Sequence, residues 1–257
     1  MRLALALFAI AATGTGAVPP PPHAAVSIQL GGAFAPAPGV AVVERDRHDP
    51  PAPGRYGICY LNGFQAQADE LAWWRRTHPA LLLRRGGKPV VDAAWNEQLL
   101  DTSTKAKRQA IAAVVGKWID GCAEAGFRAV DPDNLDSWTR SRGGLSAADN
   151  LALARLLIAR AHADGLAIAQ KNAPALAATG RRLGFDFAVV EQCQRYDECG
   201  SYLRAYGSHV IEIEYPDGGS GDFERACALR GGRISIVYRD RDVTPAGSPG
   251  FIERRCP

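Results

Sequence analysis

The sequence predicts an α/β fold of the (β/α)₈ TIM-barrel type, with reduced helices between the first strands. Three observations lead to this fold class. The chain has 257 residues, of which 47% are hydrophobic, so it is long enough and apolar enough for one large core. Short runs rich in Val, Ile and Leu alternate with longer segments of helical period. There are eight such runs, and eight strands favour a parallel barrel.

Strands and helices alternate along the chain. The predicted strands are Val26–Leu30, Val40–Glu44, Tyr56–Leu61, Phe127–Asp131, Leu166–Gln170, Phe187–Glu191, Val210–Glu214 and Ile234–Tyr238. The predicted helices are Ala66–Arg76, Thr104–Ala125, Ala147–Ala163, Ala173–Leu183 and Gly221–Leu229. Ser146 is typical of a helix N-cap, and Gly126 and Gly184 lie where helices are expected to end. The first three strands are joined by short connections rich in Pro and Gly, so an open doubly wound sheet is the alternative.

The N-terminus has the pattern of an export signal. In residues 1–17, Arg2 precedes a short apolar run that is followed by small residues, which is typical of a secretory signal peptide. The alternative is a buried N-terminal helix. The run Pro19–Pro22 makes residues 18–25 a stiff Pro-rich spacer, and residues 26–257 are predicted to form a single barrel domain. No apolar stretch is long enough to span a bilayer, so we expect a secreted protein without membrane association after signal removal.

Six cysteines indicate disulfides rather than a metal site. An even number of cysteines in an exported chain favours disulfide pairing, and Cys193 and Cys199 are close enough in sequence to close one small loop. The sequence does not decide between the three pairings of the other four, which are Cys59, Cys122, Cys227 and Cys256. No C-x-x-C pair or G-x-G-x-x-G motif occurs and the five histidines are scattered, so we expect no metal and no cofactor.

The charge pattern argues against nucleic-acid binding. Lys and Arg number 30 against 27 Asp and Glu, and the formal net charge of +3 is spread along the chain. Nucleic-acid binders usually concentrate basic residues in a stripe or tail, so we expect no nucleic-acid partner. We also expect the protein to be a monomer.

Acidic residues cluster where predicted strands end. Asp131 ends the fourth predicted strand, and Asp133 follows it two residues later. Glu191 ends the sixth strand, Glu214 ends the seventh, and Lys171 comes directly after the fifth. The carboxyl ends of parallel strands meet at one face of a barrel, and side-chain alternation places Asp131 and Asp133 on the same side. Several carboxylates on one rim suit glycoside hydrolysis, in which one carboxyl protonates the leaving oxygen and a second attacks the sugar or activates water. The alternative is that these acids are helix N-caps or solvated loop ends.

The same segments carry a family resemblance. The sequence resembles glycoside hydrolase family 114, whose members are endo-α-1,4-polygalactosaminidases on a (β/α)₈ barrel, in the segments Gly126–Trp138, Ala167–Ala173, Phe185–Cys199 and Val210–Tyr215. The family's pattern of an acid, Pro, Asp, Asn, a hydrophobic residue and Asp matches Asp131–Asp136. Its Glu-x-Cys…Tyr-Asp-Glu-Cys pattern matches Glu191–Cys199. One departure is that the acid-rich stretch after the second strand has the basic neighbours Arg45 and Arg47 here.

The resemblance implies a secreted enzyme, with residues 26–257 as its catalytic domain, that cleaves α-1,4-linked galactosamine polymers without a cofactor. We expect retaining hydrolysis with Asp133 as nucleophile and Glu191 as acid/base, and Asp131 is the main rival for the nucleophile. Retention requires the two carboxyls to lie roughly 5 Å apart, whereas inversion requires about 6.5–9.5 Å. The expected substrate-binding residues are Asp131, Asn134, Asp136, Trp138, Lys171, Tyr196, Glu198, Glu214 and Tyr238.

Two other functions are compatible with this pattern. The first is a non-catalytic barrel that binds polysaccharide, which needs a cleft and aromatic side chains but not two correctly spaced carboxyls. The second is an α-glycosidase of similar architecture that acts on a neutral sugar. Unacetylated galactosamine is cationic, and an acidic barrel mouth can concentrate a polycation even on a chain of slightly positive net charge.

Overall fold

The computed structural model describes residues 16–257 of the chain. The predicted signal peptide lies outside the described residues, apart from Gly16 and Ala17, and it stays a prediction. Within the described range, no helix is both long enough and apolar enough to cross a bilayer.

Eight parallel strands form the body of the protein. They are β1 (Val26–Gln29), β2 (Val42–Asp46), β3 (Tyr56–Asn62), β4 (Ala129–Asp133), β5 (Ala167–Lys171), β6 (Phe187–Glu191), β7 (Val210–Glu214) and β8 (Ser235–Arg239). Each strand pairs in parallel with the next one along the chain. A ninth strand, β9 (Glu253–Arg255), pairs antiparallel with β8. The predicted (β/α)₈ barrel is confirmed.

Contacts between β1 and the β8 side of the sheet close the barrel almost completely. The backbone N–H of Ala24 donates to Oγ of Ser235 at 3.0 Å, on the N-terminal side. Glu253 of β9 bridges the gap, because its Oε2 accepts hydrogen bonds from Oγ of Ser27 at 2.8 Å and from Arg239 at 3.2 Å. We call this junction, formed by Ser27, Arg239 and Glu253, the seam.

Two predicted strands, Phe187–Glu191 and Val210–Glu214, match the observed bounds, and the other six differ by one or two residues. In β4, for example, the strand covers Ala129–Asp133 rather than Phe127–Asp131. Phe127 is buried, but it lies two residues before Ala129, where pairing with β3 begins. Its burial as an apolar residue therefore resembles that of a strand residue. The shift brings both Asp131 and Asp133 into the paired strand.

Six helices cover the barrel. They are α1 (Leu71–Thr77), α2 (Lys105–Ala125), α3 (Ala147–Ala163), α4 (Ala177–Leu183), α5 (Cys199–Tyr206) and α6 (Ser220–Arg230). Thr104 caps α2, and Ser146 forms a capping box with Asp149 at the start of α3. No helix occurs in residues 30–41 or 47–55, all of them described, as predicted for the first connections. Helix α5, which begins at the end of the Cys193–Cys199 loop, was not predicted.

An insertion between β3 and α2 departs from the prediction of a helix over Ala66–Arg76. Helix α1 is shorter, and residues 65–100 also contain a short 3-10 helix (Pro79–Leu81) and two small antiparallel sheets. In the first sheet, Glu97–Leu99 is the middle strand and pairs with Gln65–Ala66 on one side and with Val91–Asp92 on the other. In the second sheet, Arg84–Arg85 pairs with Lys88–Pro89. This insertion places Asp92, Trp95 and Glu97 at the mouth of the barrel.

The core has two layers that follow the alternation of side chains along each strand. The barrel interior is filled by side chains such as Val26, Val42, Ile58, Ala129, Ala169, Phe187, Ile211 and Val237. The layer between strands and helices contains Cys59, Leu61, Val130, Ile168, Val190, Tyr202 and Tyr238. Residues at even and odd positions of a strand therefore meet different environments, and this decides which strand-end residues can face the barrel mouth.

Three disulfides use all six cysteines. Cys193 pairs with Cys199, as predicted. The pairings that the sequence left open are Cys59–Cys122, which joins β3 to α2, and Cys227–Cys256, which joins α6 to the segment after β9.

Candidate active site

A pocket of about 320 Å³ opens at the carboxyl ends of the barrel strands. Both predicted catalytic carboxylates, Asp133 and Glu191, line it, together with the predicted binding residues Asn134, Asp136 and Lys171. Strand β4 brings Asp133 to the rim, and β6 brings Glu191. The structure therefore gathers five of the eleven predicted site residues in one cavity.

Three donors surround the Asp133 carboxylate. The Tyr60 hydroxyl on β3 donates to Oδ2 at 2.8 Å, and the backbone N–H of Asn134 donates to Oδ1 at 2.6 Å. The ammonium of Lys171 on β5 lies 3.8 Å from Oδ1. Asn134 adopts a left-handed backbone with φ of 68°, which turns the chain away from the strand and leaves the carboxylate at the rim. These contacts fix the orientation of Asp133.

Asp131 lies one layer deeper and does not line the pocket. Its side chain is fully buried, and its Oδ2 lies 3.3 Å from the Lys171 ammonium. Burial raises the pKa of Asp131 to about 6, against the opposing pull of Lys171. The expected alternation is present, since both aspartates face the interior, but only Asp133 reaches the cavity.

Glu191 is held by reciprocal contacts. Nδ2 of Asn172 donates to its Oε2 at 2.9 Å, and its own backbone N–H donates to Oδ1 of Asn172 at 2.9 Å. The Tyr215 hydroxyl donates to Oε1 at 2.7 Å. Burial acts to raise the pKa of Glu191, but the charge of Lys171 and the hydrogen bonds from Tyr215 and Asn172 outweigh it and lower the pKa below its ordinary value.

Lys171 is the central cation of the pocket floor. Burial acts to lower its pKa, but the carboxyls of Asp131, Asp133, Glu191 and Glu44 together raise it well above its ordinary value. Lys171 therefore stays protonated, and its charge acts on both candidate catalytic carboxylates.

A second depression continues the pocket along the barrel mouth. It shares Asp136, Asn172 and Glu191 with the first, so the two form one cleft. Three predicted binding residues line this extension: Trp138, Tyr196 and Glu198. The side chain of Tyr196 is 57% exposed, and the Cys193–Cys199 disulfide closes the loop that carries it.

Glu214 and Tyr238 do not reach the cleft, in contrast to the expectation. Tyr215 and Ile213 of the β7 segment face the interior, so Glu214 points into the layer beneath the helices. There it accepts a hydrogen bond from the backbone N–H of Gln194 at 3.0 Å, and burial raises its pKa to about 8. Tyr238 likewise faces outward, with its ring 5.2 Å from that of Phe223.

Several cleft residues were missed by the sequence-based prediction. Arg140 donates to Asp136 and lies 2.8 Å from Asp92, and Arg241 lies over the ring of Tyr215 at 4.0 Å. The sequence did contain a signal for Tyr60, because Tyr60 lies two residues after Ile58 on the third strand and therefore points to the same side of the sheet. Asp46 ends β2, and Asn172 and Tyr215 directly follow the predicted strand-end residues Lys171 and Glu214. The remaining residues belong to the insertion or to connections between strands and helices, and no comparable signal marks them. The missed cleft residues are Asp46, Tyr60, Asp92, Trp95, Glu97, Arg140, Asn172, Tyr215 and Arg241.

Glu97 is a further ionisable group at the pocket wall. Its Oε2 accepts hydrogen bonds from Nδ2 of Asn62 at 2.8 Å and from Nδ2 of Asn134 at 3.3 Å. Burial, with the nearby charge of Asp133, raises the pKa of Glu97 to about 7. Glu97 can therefore hold or release a proton near neutral pH.

Carboxyls outnumber cations in the main pocket. Three cations face it, and they are Arg140, Lys171 and Arg241. Seven carboxyls line the same cavity: Asp46, Asp92, Glu97, Asp133, Asp136, Glu191 and Asp242. The cavity thus carries the opposite sign to the chain's formal net charge of +3.

One group of potential metal ligands occurs among the described residues, formed by Cys193, Cys199 and Glu212. The two cysteines are joined in a disulfide, so neither offers a thiolate to a metal. The group lies in the helix-facing layer, with Glu212 paired to Arg230 at 2.8 Å.

Comparison with known proteins identifies one matching family and several similar solved structures. The model of glycoside hydrolase family GH114 matches residues 9–256. The crystal structure of Aspergillus fumigatus Ega3 in complex with galactosamine is similar with a TM-score of 0.74 and 22% identity, over 94% of this chain and 98% of that chain. The glycoside hydrolase domain of PelA from Pseudomonas aeruginosa is similar with a TM-score of 0.61 and 18% identity, over 87% of this chain and 97% of that chain. No curated protein sequence matches the chain.

The family match covers almost all of the chain, and the barrel resembles those of both solved structures. The carboxylate-lined cleft lies at the face where barrel enzymes carry their active sites. This chain therefore belongs to glycoside hydrolase family 114 and is a glycoside hydrolase.

Proposed function

We propose that the protein is an endo-α-1,4-polygalactosaminidase that cleaves α-1,4-linked galactosamine polymers with retention of configuration. One observation carries the proposal: Asp133 and Glu191 line the same cleft, and that cleft is rich in carboxyls. A polymer of unacetylated galactosamine is a polycation, and a cleft lined by one sign of charge attracts a ligand of the other. The similar Ega3 structure contains galactosamine, which supports the same sugar class here.

The proposed reaction uses the two carboxylates in turn. Asp133 attacks the anomeric carbon while Glu191 protonates the departing glycosidic oxygen, which gives a glycosyl–enzyme ester and a shortened polymer. Glu191 then takes a proton from water, the water attacks the anomeric carbon, and Asp133 is released. The contacts from Tyr60 and Asn134 hold Asp133 ready to attack.

The acid/base role requires Glu191 to carry a proton when the polymer is bound. In the free protein, Lys171 and two hydrogen bonds lower the pKa of Glu191. A bound sugar removes the remaining water from the cleft, and this desolvation favours the protonated form of the carboxyl. We therefore expect the reaction to be favoured by mildly acidic pH.

Aromatic side chains at the rim suit a polysaccharide. Trp95 on one side of the cleft and Tyr196 on its extension are each more than half exposed, at 52% and 57%. Sugar rings present apolar C–H faces that pack against aromatic rings, and Trp138 lines the same extension. These rings mark where successive sugar units would lie along the cleft.

Product analysis on defined α-1,4-galactosamine oligomers tests the proposal. We expect shorter oligomers whose reducing ends first appear as the α-anomer in time-resolved NMR spectra. Fully N-acetylated oligomers and neutral α-galactosides of the same length serve as matched controls, and we expect slower cleavage of both. Binding without cleavage would instead indicate a polysaccharide-binding barrel. Faster cleavage of the neutral oligomers than of the galactosamine oligomers would indicate an α-glycosidase for neutral sugars, and initial formation of the β-anomer would indicate an inverting mechanism.

We also propose that the protein is exported. Three disulfides join residues of the chain, and such bonds persist in oxidising compartments outside the cytosol. Expression of the full chain should yield an exported protein whose N-terminus, read by mass spectrometry, lies close to residue 18. Retention inside the cell with an intact N-terminus would contradict the proposal.

A further inference from the structure

The carboxyl of Glu44 is buried without a donor. Glu44 lies on β2, its side chain points into the barrel interior, and it is 0% exposed. Neither of its oxygens receives a hydrogen bond from an N–H or O–H group of the described residues. A buried ionised carboxyl without a partner is strongly unfavourable, so this arrangement needs a chemical explanation.

The neighbouring carboxyl of Asp131 also has one oxygen without a hydrogen-bond donor. Its Oδ2 faces Lys171, but its Oδ1 is buried and also lacks a donor among the described groups. The side chains of Glu44 and Asp131 are both fully buried and both point into the barrel interior, and the charge of Asp131 acts on Glu44. A single proton shared between them would give Asp131 Oδ1 its missing donor and would leave Glu44 neutral, with its other oxygen as an uncharged carbonyl.

The proton belongs to Glu44 rather than Asp131. Lys171 lies 3.3 Å from Asp131, and this contact keeps the negative charge on Asp131. Burial, followed by the charge of Asp131, raises the pKa of Glu44 well above its ordinary value. The groups that face Glu44 are Asp131 and Asp133 from β4 and Lys171 from β5, and two of these three are acidic.

The basic neighbours of Glu44 in sequence do not neutralise it. Arg45 points to the opposite face of β2, where it donates to Oε1 of Gln29 at 2.9 Å. Arg47 follows the strand and pairs with Glu70 of the insertion. Strand alternation therefore leaves Glu44 with only the interior groups as partners.

We propose that Glu44 is a positioning residue: its protonated carboxyl donates to Oδ1 of Asp131, locks Asp131 against Lys171, and so leaves Asp133 as the carboxylate that is free to react. With Glu44 neutral, Asp131 and Lys171 form an electrically balanced pair beneath the pocket. With Glu44 ionised, the three groups would carry a net negative charge beneath Asp133 and would oppose its ionisation. The part of this inference that concerns Asp133 rests on the proposed function, whereas the protonation of Glu44 does not.

Two substitutions separate the donor role from mere packing. In Glu44→Gln the amide N–H can take the place of the proton, so we expect kcat within about threefold of wild type. In Glu44→Leu the size is similar but the donor is lost and Asp131 Oδ1 stays unpartnered. We expect kcat to fall about 100-fold because Asp131 and Lys171 shift beneath Asp133, with KM changed less than about threefold.

Two readouts do not depend on activity. The infrared difference spectrum of wild type minus Glu44→Gln at neutral pH should contain the carbonyl band of one protonated carboxylic acid, since the other raised carboxyls are present in both proteins and cancel. A carboxyl with a raised folded-state pKa stabilises the fold below its unfolded-state pKa, and that contribution is lost as pH rises through the folded-state pKa. The unfolding temperature of wild type should therefore fall more steeply than that of Glu44→Gln as the pH rises above the unfolded-state pKa of a glutamate, about 4.3.

The outcomes are distinct. Wild-type turnover in Glu44→Leu would overturn the positioning role, and a spectrum without the carbonyl band would overturn the shared proton. If Glu44→Leu does not fold, the spectrum and the Glu44→Gln unfolding series still decide whether Glu44 holds the proton. If wild type does not cleave galactosamine oligomers while the band is present, the proposed function fails and the Glu44–Asp131 proton stands.

Discussion

Asp133→Asn is expected to lower kcat on galactosamine oligomers by on the order of 10⁴-fold, because the amide cannot form the glycosyl–enzyme ester. The substituted side chain has the same size and can still accept the Tyr60 hydrogen bond, so binding should change little. The measurement is steady-state turnover, together with the affinity of the inactive variant for an intact oligomer by calorimetry. Near-normal turnover would show that Asp133 is not the nucleophile.

Asp131→Asn is the matched control for this experiment. Asp131 is fully buried and faces Lys171, so its substitution removes one partner of a buried ion pair. Breaking such a pair costs about 3–5 kcal/mol of folding free energy. We expect a clear fall in the unfolding temperature and a much smaller loss of kcat than in Asp133→Asn. The opposite ranking of the two variants would identify Asp131 as the nucleophile.

Glu191→Gln is expected to lower kcat by about 10²–10⁴-fold, the contribution that a positioned general acid and base typically makes. An α-galactosaminide with a good aryl leaving group needs no proton on departure, so the first step should be largely restored for this substrate. Bond cleavage is then followed by accumulation of the glycosyl–enzyme, which mass spectrometry of the intact protein detects. The same loss of kcat/KM on both substrates, without a burst of aryl alcohol release, would argue against Glu191 as the proton donor.

Glu97→Gln tests the competing donor. The pKa of Glu97 is raised to about 7, whereas that of Glu191 is lowered, so the two assignments predict different pH profiles. If Glu191 is the donor, kcat/KM rises as pH falls below neutrality, and Glu97→Gln keeps this dependence. A limb near pH 7 that disappears in Glu97→Gln would assign proton donation to Glu97.

The sequence was sufficient for the barrel because its signals were local and repeated. Helices α2 and α3 have helical period and N-caps at Thr104 and Ser146, and the buried strands read as short apolar runs. The convergence of strand ends then placed Asp133, Lys171 and Glu191 together, since parallel strands in a barrel end on one face. The assignment of their chemical roles rests on the family resemblance rather than on these patterns.

Other parts of the site could not be obtained in this way. Alternation predicts that Glu214 and Tyr215 face opposite sides of the sheet, but β7 is buried on both sides, so its sequence does not reveal which side is the barrel interior. The insertion of residues 65–100 folds by pairing short segments far apart in sequence, such as Gln65–Ala66 with Glu97–Leu99. Such pairing leaves little periodicity, so Glu97 and Asp92 carried no sequence signal.

The seam has a consequence for how the chain matures. Glu253 connects β1 to β8, and it lies 226 positions after Ser27, so the first strand finds its last neighbour only when almost the whole chain has emerged. While the chain is being made, the Cys59–Cys122 and Cys193–Cys199 bonds can form on an unclosed sheet, whereas Cys227 has no partner until Cys256 has emerged. In that interval Cys227 is a spare thiol, and a disulfide isomerase would be needed most at this last step of maturation.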